Sequence, residues 1–289
     1  MILITGATGN LGSDVIEHLL KIIKPGQIIA LVRDLKKAEK WSRRGITVRL
    51  GNYDDKKSVE EAFVGVTKVL LIPGSDKGLL MQHQQVINIA KAAGIKHFYY
   101  TSGAVNRDIK KSKLGTLNEA YKPTEDYLKK SGLTYTIFQN GLYLETIPFF
   151  IGDRLPAFGI RFPSGDGRAS FAKRAEMGEA IAKVIAGHGH ENKSYILTAN
   201  ETYSFRDIAD ILTRLSAIEI SFKSPDIKSF EAELRKYEVD EQDIRFASLF
   251  AMVVANNEYE IADPTLENLL GRRPLELKQY LDQYYLKKK

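Results

Sequence analysis

Three glycines near the start of the chain have the spacing and the surroundings of a phosphate-binding turn. Gly6, Gly9 and Gly12 follow an apolar run at residues 2–4 and precede an amphipathic segment at residues 13–23. Glycines let the backbone turn tightly and let a pyrophosphate approach the chain. The start of a helix then offers unpaired N–H groups and a positive dipole end to that anion. In this strand–turn–helix context, the G-x-x-G-x-x-G spacing predicts that a dinucleotide binds here.

The residues directly after the other predicted strands are expected at the same edge of the sheet. Open α/β sheets bind their ligands at the carboxyl ends of the strands. Arg33 follows the second predicted strand, where the adenosine ribose is expected. A guanidinium there suits the 2′-phosphate of NADP. NADPH is therefore the predicted cofactor and NADH the weaker one, although the neighbouring Asp34 keeps NAD open as an alternative.

The same argument supplies the remaining cofactor contacts. Asn52 and Tyr53 are expected to flank the adenine, and Thr101 and Ser102 to lie near the nicotinamide ring. The predicted cofactor-binding residues are Gly6, Thr8, Gly9, Asn10, Leu11, Gly12, Arg33, Asn52, Tyr53, Pro73, Gly74, Ser75, Thr101 and Ser102.

Strands and helices alternate along the first half of the chain, which predicts a parallel sheet with right-handed crossovers. After the glycine turn, strands are predicted at residues 27–32, 47–50, 68–72, 97–101 and 134–138, with helices at 35–44, 57–63, 79–93 and 123–131. From Ser204 onward the pattern is mainly helical. The predicted fold is therefore α/β: a Rossmann-type doubly wound parallel sheet with a smaller, mainly helical C-terminal part. The predicted domains are residues 1–139, which bind NAD(P), and residues 140–289, a substrate-binding or lid part with a blurred boundary.

Composition excludes several kinds of site. The 289 residues include no cysteine, so the chain has no disulfide, no thiolate nucleophile and no cysteine-ligated zinc. Only His188 and His190 have ligand-like spacing, and no carboxylate stands at ligand spacing from them, so no metal is expected. No apolar run reaches transmembrane length, and no basic-then-apolar signal segment is present. We therefore expect a cytoplasmic protein that does not enter a membrane.

The net charge is +6, from 42 Lys and Arg against 36 Asp and Glu. The basic runs at residues 110–113 and 287–289 are short and lack interleaved aromatic side chains. Nucleic-acid binding usually requires clustered basic residues together with aromatic side chains for stacking or a motif that recognises bases. No nucleic-acid partner is therefore expected.

Longer motifs extend over nearly the whole chain. They occupy residues 4–12 (ITGATGNLG), 31–33, 51–54 (GNYD), 100–102 (YTS), 124–125, 134–143 (TYTIFQNGLY), 165–168 (GDGR) and 263–271. On these stretches the chain resembles the atypical short-chain dehydrogenase/reductases of the NmrA-like group, especially NAD(P)H:quinone oxidoreductases and triphenylmethane reductase. The resemblance implies an NADPH-dependent reductase that transfers hydride to a quinone-like or conjugated small-molecule acceptor. The group also includes non-catalytic regulators that bind NAD(P) and then a protein partner, and that alternative stays open.

Two positions depart from the pattern of these relatives. The family usually has Asp where Asn52 stands, although an amide oxygen can also accept a hydrogen bond from adenine. The Tyr-x-x-x-Lys pair of the wider superfamily would fall at Leu117 and Tyr121, so the pair is missing. Epimerases and alcohol dehydrogenases need that phenol as a proton donor, whereas a quinone or a cationic dye is a strong hydride acceptor that can take its proton from solvent.

Tyr121 is the predicted catalytic residue, because its phenol could donate a hydrogen bond to a substrate oxygen. An amphipathic tyrosine at a helix start is an equal alternative. Asn140, Gly141 and Tyr143 follow the last strand of the alternating half and are the predicted substrate-binding residues. The oligomeric state cannot be read from the sequence, and a homodimer stays open.

Overall fold

The computed structural model describes residues 1–74, 78–106, 116–156 and 159–287. Thirteen strands are present among these residues. They are β1 (Ile2–Ile4), β2 (Ile28–Val32), β3 (Thr47–Leu50), β4 (Lys68–Leu71), β5 (His97–Gly103), β6 (Tyr135–Asn140), β7 (Leu142–Tyr143), β8 (Ile160–Arg161), β9 (Arg168–Ala169), β10 (Phe171–Ala172), β11 (Lys193–Leu197), β12 (Tyr203–Ser204) and β13 (Phe222–Lys223).

Twelve α-helices lie among the same described residues. They are α1 (Asn10–Leu19), α2 (Glu39–Ser42), α3 (Lys56–Ala62), α4 (Leu79–Ala92), α5 (Thr116–Lys130), α6 (Ile147–Ile151), α7 (Arg174–Ala186), α8 (Phe205–Ser216), α9 (Ile227–Lys236), α10 (Glu241–Ala255), α11 (Thr265–Leu270) and α12 (Leu277–Leu281). No helix of the described ranges is long and apolar enough to span a membrane.

Helix starts differ most from the sequence-based predictions. α1 begins at Asn10 rather than at residue 13, because Gly9 already adopts the extended backbone of a helix N-cap. α5 begins at Thr116, so Pro123 lies inside the helix rather than at its start, and the added turns bury Ala120. The predicted helix at residues 35–44 is a 3₁₀ turn, Lys36–Ala38, followed by the short α2.

A seven-stranded sheet has the order β11-β6-β5-β4-β1-β2-β3. The pairs from β3 to β6 are all parallel. The order 3-2-1-4-5-6 is that of a doubly wound dinucleotide-binding sheet, so the predicted fold class is confirmed. Every residue of β2 and β5 is buried, as expected for strands that are covered on both faces.

The chain divides into two compact units. The first comprises Met1–Gly103, Thr116–Asn140 and Arg174–Ile196, and the second the described parts of Ala104–Gly115, Gly141–Lys173 and Leu197–Lys289. Arg174–Ile196 lies beyond the predicted boundary near residue 139, yet it belongs to the first unit because α7 packs on α1. The two helices approach so closely that a Cβ on Gly178 would stand 2.8 Å from the Cβ of Asp14.

Each unit has its own core. In the first, sheet residues such as Leu3, Val69 and Phe98 pack against Val86 of α4 and Leu128 of α5. In the second, aromatic side chains cluster, with ring centroids 5.0 Å apart for Phe150 and Phe162 and 4.3 Å apart for Phe162 and Phe205. The second unit also contains three short strand pairs, β7–β10, β8–β13 and β9–β12, beside its helices.

Candidate functional site

The turn between β1 and α1 has the geometry of a backbone cradle. Gly6 adopts a φ of +57°, a left-handed conformation that favours glycine. A Cβ on Gly12 would stand 2.2 Å from the carbonyl oxygen of Gly6, so only glycine lets α1 pack this closely on the turn. Of the predicted contacts here, Thr8, Gly9 and Asn10 are exposed, whereas Leu11 is buried with Gly12.

This turn fits a pyrophosphate. Gly9 caps α1, and no side chain at the cap accepts hydrogen bonds from the first turn of the helix. The N–H groups and the positive dipole end of α1 therefore open onto an exposed, glycine-rich surface, as anion binding requires. The residues present fit the dinucleotide that the sequence predicted.

Trp41, for which the sequence analysis predicted no role, braces the same turn. Its side chain is fully buried, and its indole Nε1 donates a hydrogen bond of 3.0 Å to the carbonyl oxygen of Ala7. The ammonium of Lys40 lies 4.3 Å above the indole ring and donates to Ser13 Oγ at 3.3 Å. The only signal in the sequence was an isolated tryptophan in a basic segment, which does not reveal a contact with a turn more than thirty residues earlier.

Arg33 stands exposed just after β2, at the carboxyl edge of the sheet. Asp34 Oδ1 accepts a hydrogen bond of 2.9 Å from the backbone N–H of Lys36. This side chain therefore stabilises the turn that follows the strand, a common use of Asp. The geometry gives Asp34 a local structural task, and Arg33 remains the predicted contact of the 2′-phosphate.

The loop after β3 is held to the residue after β4 and to α4. Tyr53 Oη donates a hydrogen bond of 3.2 Å to the carbonyl oxygen of Ile72, just beyond β4. Gln85 Nε2 donates to the carbonyl oxygen of Tyr53 at 2.7 Å. Asn52 is exposed, and its Oδ1 accepts from the Asp54 N–H at 3.3 Å, which leaves the oxygen a second lone pair for a ligand.

Residues at the end of β4 lie beside the glycine turn. Thr5 Oγ1 accepts a hydrogen bond of 2.8 Å from the N–H of Ile72, which ties the end of β1 to the residue after β4. Pro73 and Gly74 follow and are half-buried. The predicted contact Ser75 lies outside the described residues.

Polar side chains gather where β5 ends. Thr101 and Ser102 are 4% and 5% exposed, at the edge where the nicotinamide ring is expected. Ser102 Oγ donates a hydrogen bond of 2.7 Å to Oε1 of Glu125 on α5. Gln139 Nε2 on β6 donates to the same carboxylate, at 3.0 Å to Oε1 and 3.1 Å to Oε2. The sequence analysis predicted no role for Glu125, although helical spacing from Tyr121 and Leu128 would have placed it on the buried face of α5.

A second polar pair lies deeper, between α4 and α5. His83 Nδ1 is 3.0 Å from Thr124 Oγ1, and both side chains are fully buried. Burial lowers the pKa of His83 to about 4, so its imidazole is neutral at physiological pH. Burial also raises the pKa of the nearby Tyr100 phenol well above its usual value.

Tyr121 occupies the face of α5 that carries Glu125, one helical turn earlier. Its side chain is half-buried, and burial raises the pKa of the phenol. The phenol therefore keeps its proton at neutral pH.

The three predicted substrate contacts have different surroundings. Asn140 ends β6 at the carboxyl edge of the first unit and is 7% exposed. Gly141, in the second unit, donates its N–H to the carbonyl oxygen of Leu197 at 2.9 Å, and a Cβ there would stand 2.7 Å from Thr198 Cγ2. Close packing is thus sufficient to explain this glycine. Tyr143 is half-buried in β7 of the second unit.

The described residues contain no group of three or more His, Cys, Asp or Glu side chains that could hold a metal ion.

Comparisons with known proteins show which family and fold the chain shares. The NmrA-like family profile matches residues 1–285. Quinone oxidoreductase 2 of Escherichia coli (strain K12) is 39% identical over 236 residues, which cover 81% of this chain and 81% of that protein. An NAD(P)H azoreductase of Xenophilus azovorans is 26% identical over 214 residues, 74% of this chain and 73% of that protein.

Two solved structures share the fold over almost their full length. The crystal structure of the NADPH-dependent quinone oxidoreductase QOR2 of Escherichia coli, complexed with NADPH, has a TM-score of 0.88 and 34% identity, and the match covers 98% of this chain and 99% of that one. The Citrobacter sp. triphenylmethane reductase complexed with NADP(H) has a TM-score of 0.88 and 30% identity, over 98% of this chain and 99% of that one.

Proposed function

Because the chain belongs to the NmrA-like family, as its motifs predicted, we propose that it is an NADPH-dependent oxidoreductase that transfers hydride to a quinone-like or conjugated acceptor. The observation that carries the proposal is the exposed glycine turn at the start of α1, in a chain whose fold matches NADPH-bound reductases over 98% of its length. The relatives named above act on quinones, azo compounds and triphenylmethane dyes by their names, and these acceptors share conjugation rather than a common functional group.

In this proposal, the protein binds and orients while the cofactor supplies the reducing chemistry. When bound, NADPH provides the hydride. The glycine turn and the start of α1 hold the pyrophosphate, Arg33 holds the 2′-phosphate, and Asn52 and Tyr53 flank the adenine. Pro73 and Gly74 line the middle of the cofactor site, and Thr101 and Ser102 lie near the nicotinamide. Asn140, Gly141 and Tyr143 contact the acceptor.

Tyr121 is proposed as the residue that touches the acceptor. Its phenol is protonated at neutral pH and donates a hydrogen bond to the acceptor oxygen. The proton that completes the reduced acceptor comes from solvent, so the site needs no strong acid. This division of tasks agrees with the absence of a Tyr-x-x-x-Lys pair.

Oxidation of NADPH, followed by its absorbance with a panel of quinones and with azo and triphenylmethane dyes, tests the proposal. We expect turnover with some members of the panel. The alternative is a non-catalytic regulator that binds NAD(P) and then acts through a protein partner. It predicts tight NADPH binding and no turnover with any acceptor. That second outcome would replace the reductase proposal.

Replacing Tyr121 with Phe is expected to lower kcat about tenfold, the size of one lost hydrogen bond to a developing charge, and to leave NADPH affinity unchanged. Tyr127→Phe is the matched control, because Tyr127 lies on the same helix and its hydroxyl bonds Asn88 Oδ1 at 2.8 Å. An equal effect of both substitutions, or none from Tyr121→Phe, would remove Tyr121 from the acceptor site.

The proposal includes a cytoplasmic location, a small-molecule acceptor and no nucleic-acid partner. Light scattering of the purified chain, with and without NADPH, decides between a monomer and a homodimer.

A further inference from the structure

The hydrogen-bond network around Glu125 fixes the direction in which the Ser102 hydroxyl points. Glu125 is 1% exposed, and Ser102 Oγ lies 2.7 Å from its Oε1. The amide nitrogen of Gln139 lies within hydrogen-bonding distance of both carboxylate oxygens, at 3.0 and 3.1 Å. Since an amide N–H₂ can only donate, both oxygens of Glu125 act as acceptors. The single hydrogen of the Ser102 hydroxyl is therefore directed towards α5.

Ser102 thus has only lone pairs left to offer a ligand. A serine hydroxyl has one donor hydrogen and two acceptor sites, and its hydrogen is already used by the carboxylate. Ser102 is the last residue but one of β5, so its Oγ lies near the carboxyl edge of the sheet, where ligands of this fold bind.

We propose that Glu125 is a positioning residue which, through Ser102, makes this end of the site a hydrogen-bond acceptor for the carboxamide N–H₂ of the nicotinamide. Glu125 touches neither cofactor nor acceptor; it sets the polarity of Ser102. The same arrangement prevents Ser102 from donating a proton to a substrate carbonyl. The inference depends on the cofactor and not on which acceptor is reduced.

Substitution of Glu125 by Ala removes the acceptor that holds the Ser102 hydrogen. Substitution by Gln would not remove it, because Gln139 Nε2 lies 3.0 Å from the same Oε1 that Ser102 Oγ contacts, and one amide oxygen there accepts from both. In Glu125→Ala the Ser102 hydrogen becomes available to the ligand. Ser102 can then donate a hydrogen bond where it only accepted one before.

The test compares binding of NADP⁺ with binding of its 3-acetylpyridine analogue, in which a methyl ketone replaces the carboxamide. The two dinucleotides carry the same charges, but the analogue has an acceptor and no N–H donor at this position. Isothermal titration calorimetry gives both dissociation constants for each variant. We expect Glu125→Ala to lower the preference for NADP⁺ over the analogue by about fivefold, because the ketone of the analogue gains one hydrogen bond, and Ser102→Ala to lower it by about threefold.

Thr124→Val is the matched control, because it removes the neighbouring buried hydroxyl, which bonds His83 rather than Ser102. It is expected to leave the preference unchanged. Equal weakening of both dinucleotides by Glu125→Ala, or an unchanged preference, overturns the inference. Should Glu125→Ala fail to fold, Ser102→Ala alone decides, since an unchanged preference there has the same meaning. Binding is measured without an acceptor, so a failure of the proposed quinone reduction leaves this result independent.

Discussion

At the scale of residues, single side chains at the ends of the strands carry the proposed choice of cofactor. Arg33 and Asp34 follow β2 as a pair of opposite charges, and their sequence alone supports either NADP or NAD. Asp34 accepts a hydrogen bond of 2.9 Å from the Lys36 N–H and thereby stabilises its own turn. The guanidinium of Arg33 can pair with a 2′-phosphate through two charge-assisted hydrogen bonds, which favours NADPH.

Replacing Arg33 with Ala is expected to weaken NADPH binding by about 2 kcal/mol, the size of hydrogen bonds to a charged group, and to leave NADH binding nearly unchanged. Fluorescence titration of both cofactors at one ionic strength measures the change, since salt screens such contacts. Arg43→Ala is the matched control, because it removes the same charge from an exposed site, where Arg43 pairs with Glu39 at 2.6 Å. Equal losses for both cofactors would show that Arg33 does not bind the 2′-phosphate.

At the scale of elements, two contacts matter. One joins α2 to the glycine turn, and the other joins α4 to α5. α2 is only one turn long, yet it carries Trp41, whose Nε1 bonds the Ala7 carbonyl in the glycine turn at 3.0 Å. The residue is the only tryptophan of the chain. Its fluorescence therefore reports on the cofactor turn without any label.

Trp41→Phe is expected to lower the free energy of unfolding by about 2 kcal/mol, because it creates a cavity and removes the indole N–H from the Ala7 carbonyl, which keeps the longer hydrogen bond from Ser13 Oγ at 3.3 Å. We also expect NADPH affinity to fall several-fold, since the turn loses its brace. Phe63→Leu is the control, because Phe63 is a buried aromatic of the same unit in a core cluster that does not include Ala7 or Trp41. It should reduce stability in urea unfolding but not NADPH affinity. Unchanged affinity in Trp41→Phe would contradict a positioning role.

The joint between α4 and α5 makes stability depend on pH. His83 bonds Thr124, and its pKa is lowered by burial from 6.5 to about 4. The unfolded chain therefore takes up a proton at a higher pH than the folded chain does. The stabilisation from this joint is complete above pH 6.5 and is lost as the pH falls from there through 4.

Between pH 7 and pH 4, the free energy of unfolding is expected to fall by about 3 kcal/mol because of His83 alone. This value follows because each tenfold difference in proton affinity between the folded and the unfolded chain is worth about 1.4 kcal/mol. His83→Gln keeps a polar partner for Thr124 but cannot be protonated, so it should remove this part of the pH dependence. Urea unfolding of both proteins at several pH values measures the difference. The same pH dependence in wild type and variant would contradict the assignment.

At the scale of the whole molecule, all the predicted cofactor contacts except Ser75 lie in the described part of the first unit. That unit is discontinuous in sequence, because Arg174–Ile196 returns to it after the chain has entered the second unit. A ligand of the first unit therefore stabilises segments that are far apart along the chain.

NADPH at about one hundred times its dissociation constant is expected to stabilise the folded first unit by about 2.7 kcal/mol, because it binds the folded but not the unfolded form. Scanning calorimetry should show an unfolding transition that moves to higher temperature with NADPH. NADH at the same concentration should move it less. Equal shifts for the two cofactors would contradict the predicted preference for NADPH.

The sequence by itself determined the sheet and the position of the glycine turn. Apolar runs alternate with amphipathic segments, and Gly6, Gly9 and Gly12 require close backbone approach; both signals are local, so they can be read along the chain. The family motifs extended this to the reductase relationship. Helix bounds were less accurate, as Pro123 shows, because tertiary burial extends α5 beyond the boundary that local rules indicate.

Only the tertiary structure decided how the side chains around that edge act on one another. Trp41 donates a hydrogen bond to Ala7, and Glu125 accepts hydrogen bonds from Ser102 and Gln139. These residues are too far apart in sequence for helix or strand periodicity to predict the contacts. From the sequence alone the role of Asp34 was ambiguous. The structure shows that its side chain accepts a hydrogen bond within the turn after β2. The physical reason is that hydrogen-bond direction and burial depend on neighbours from other strands and helices, which only the folded sheet brings together.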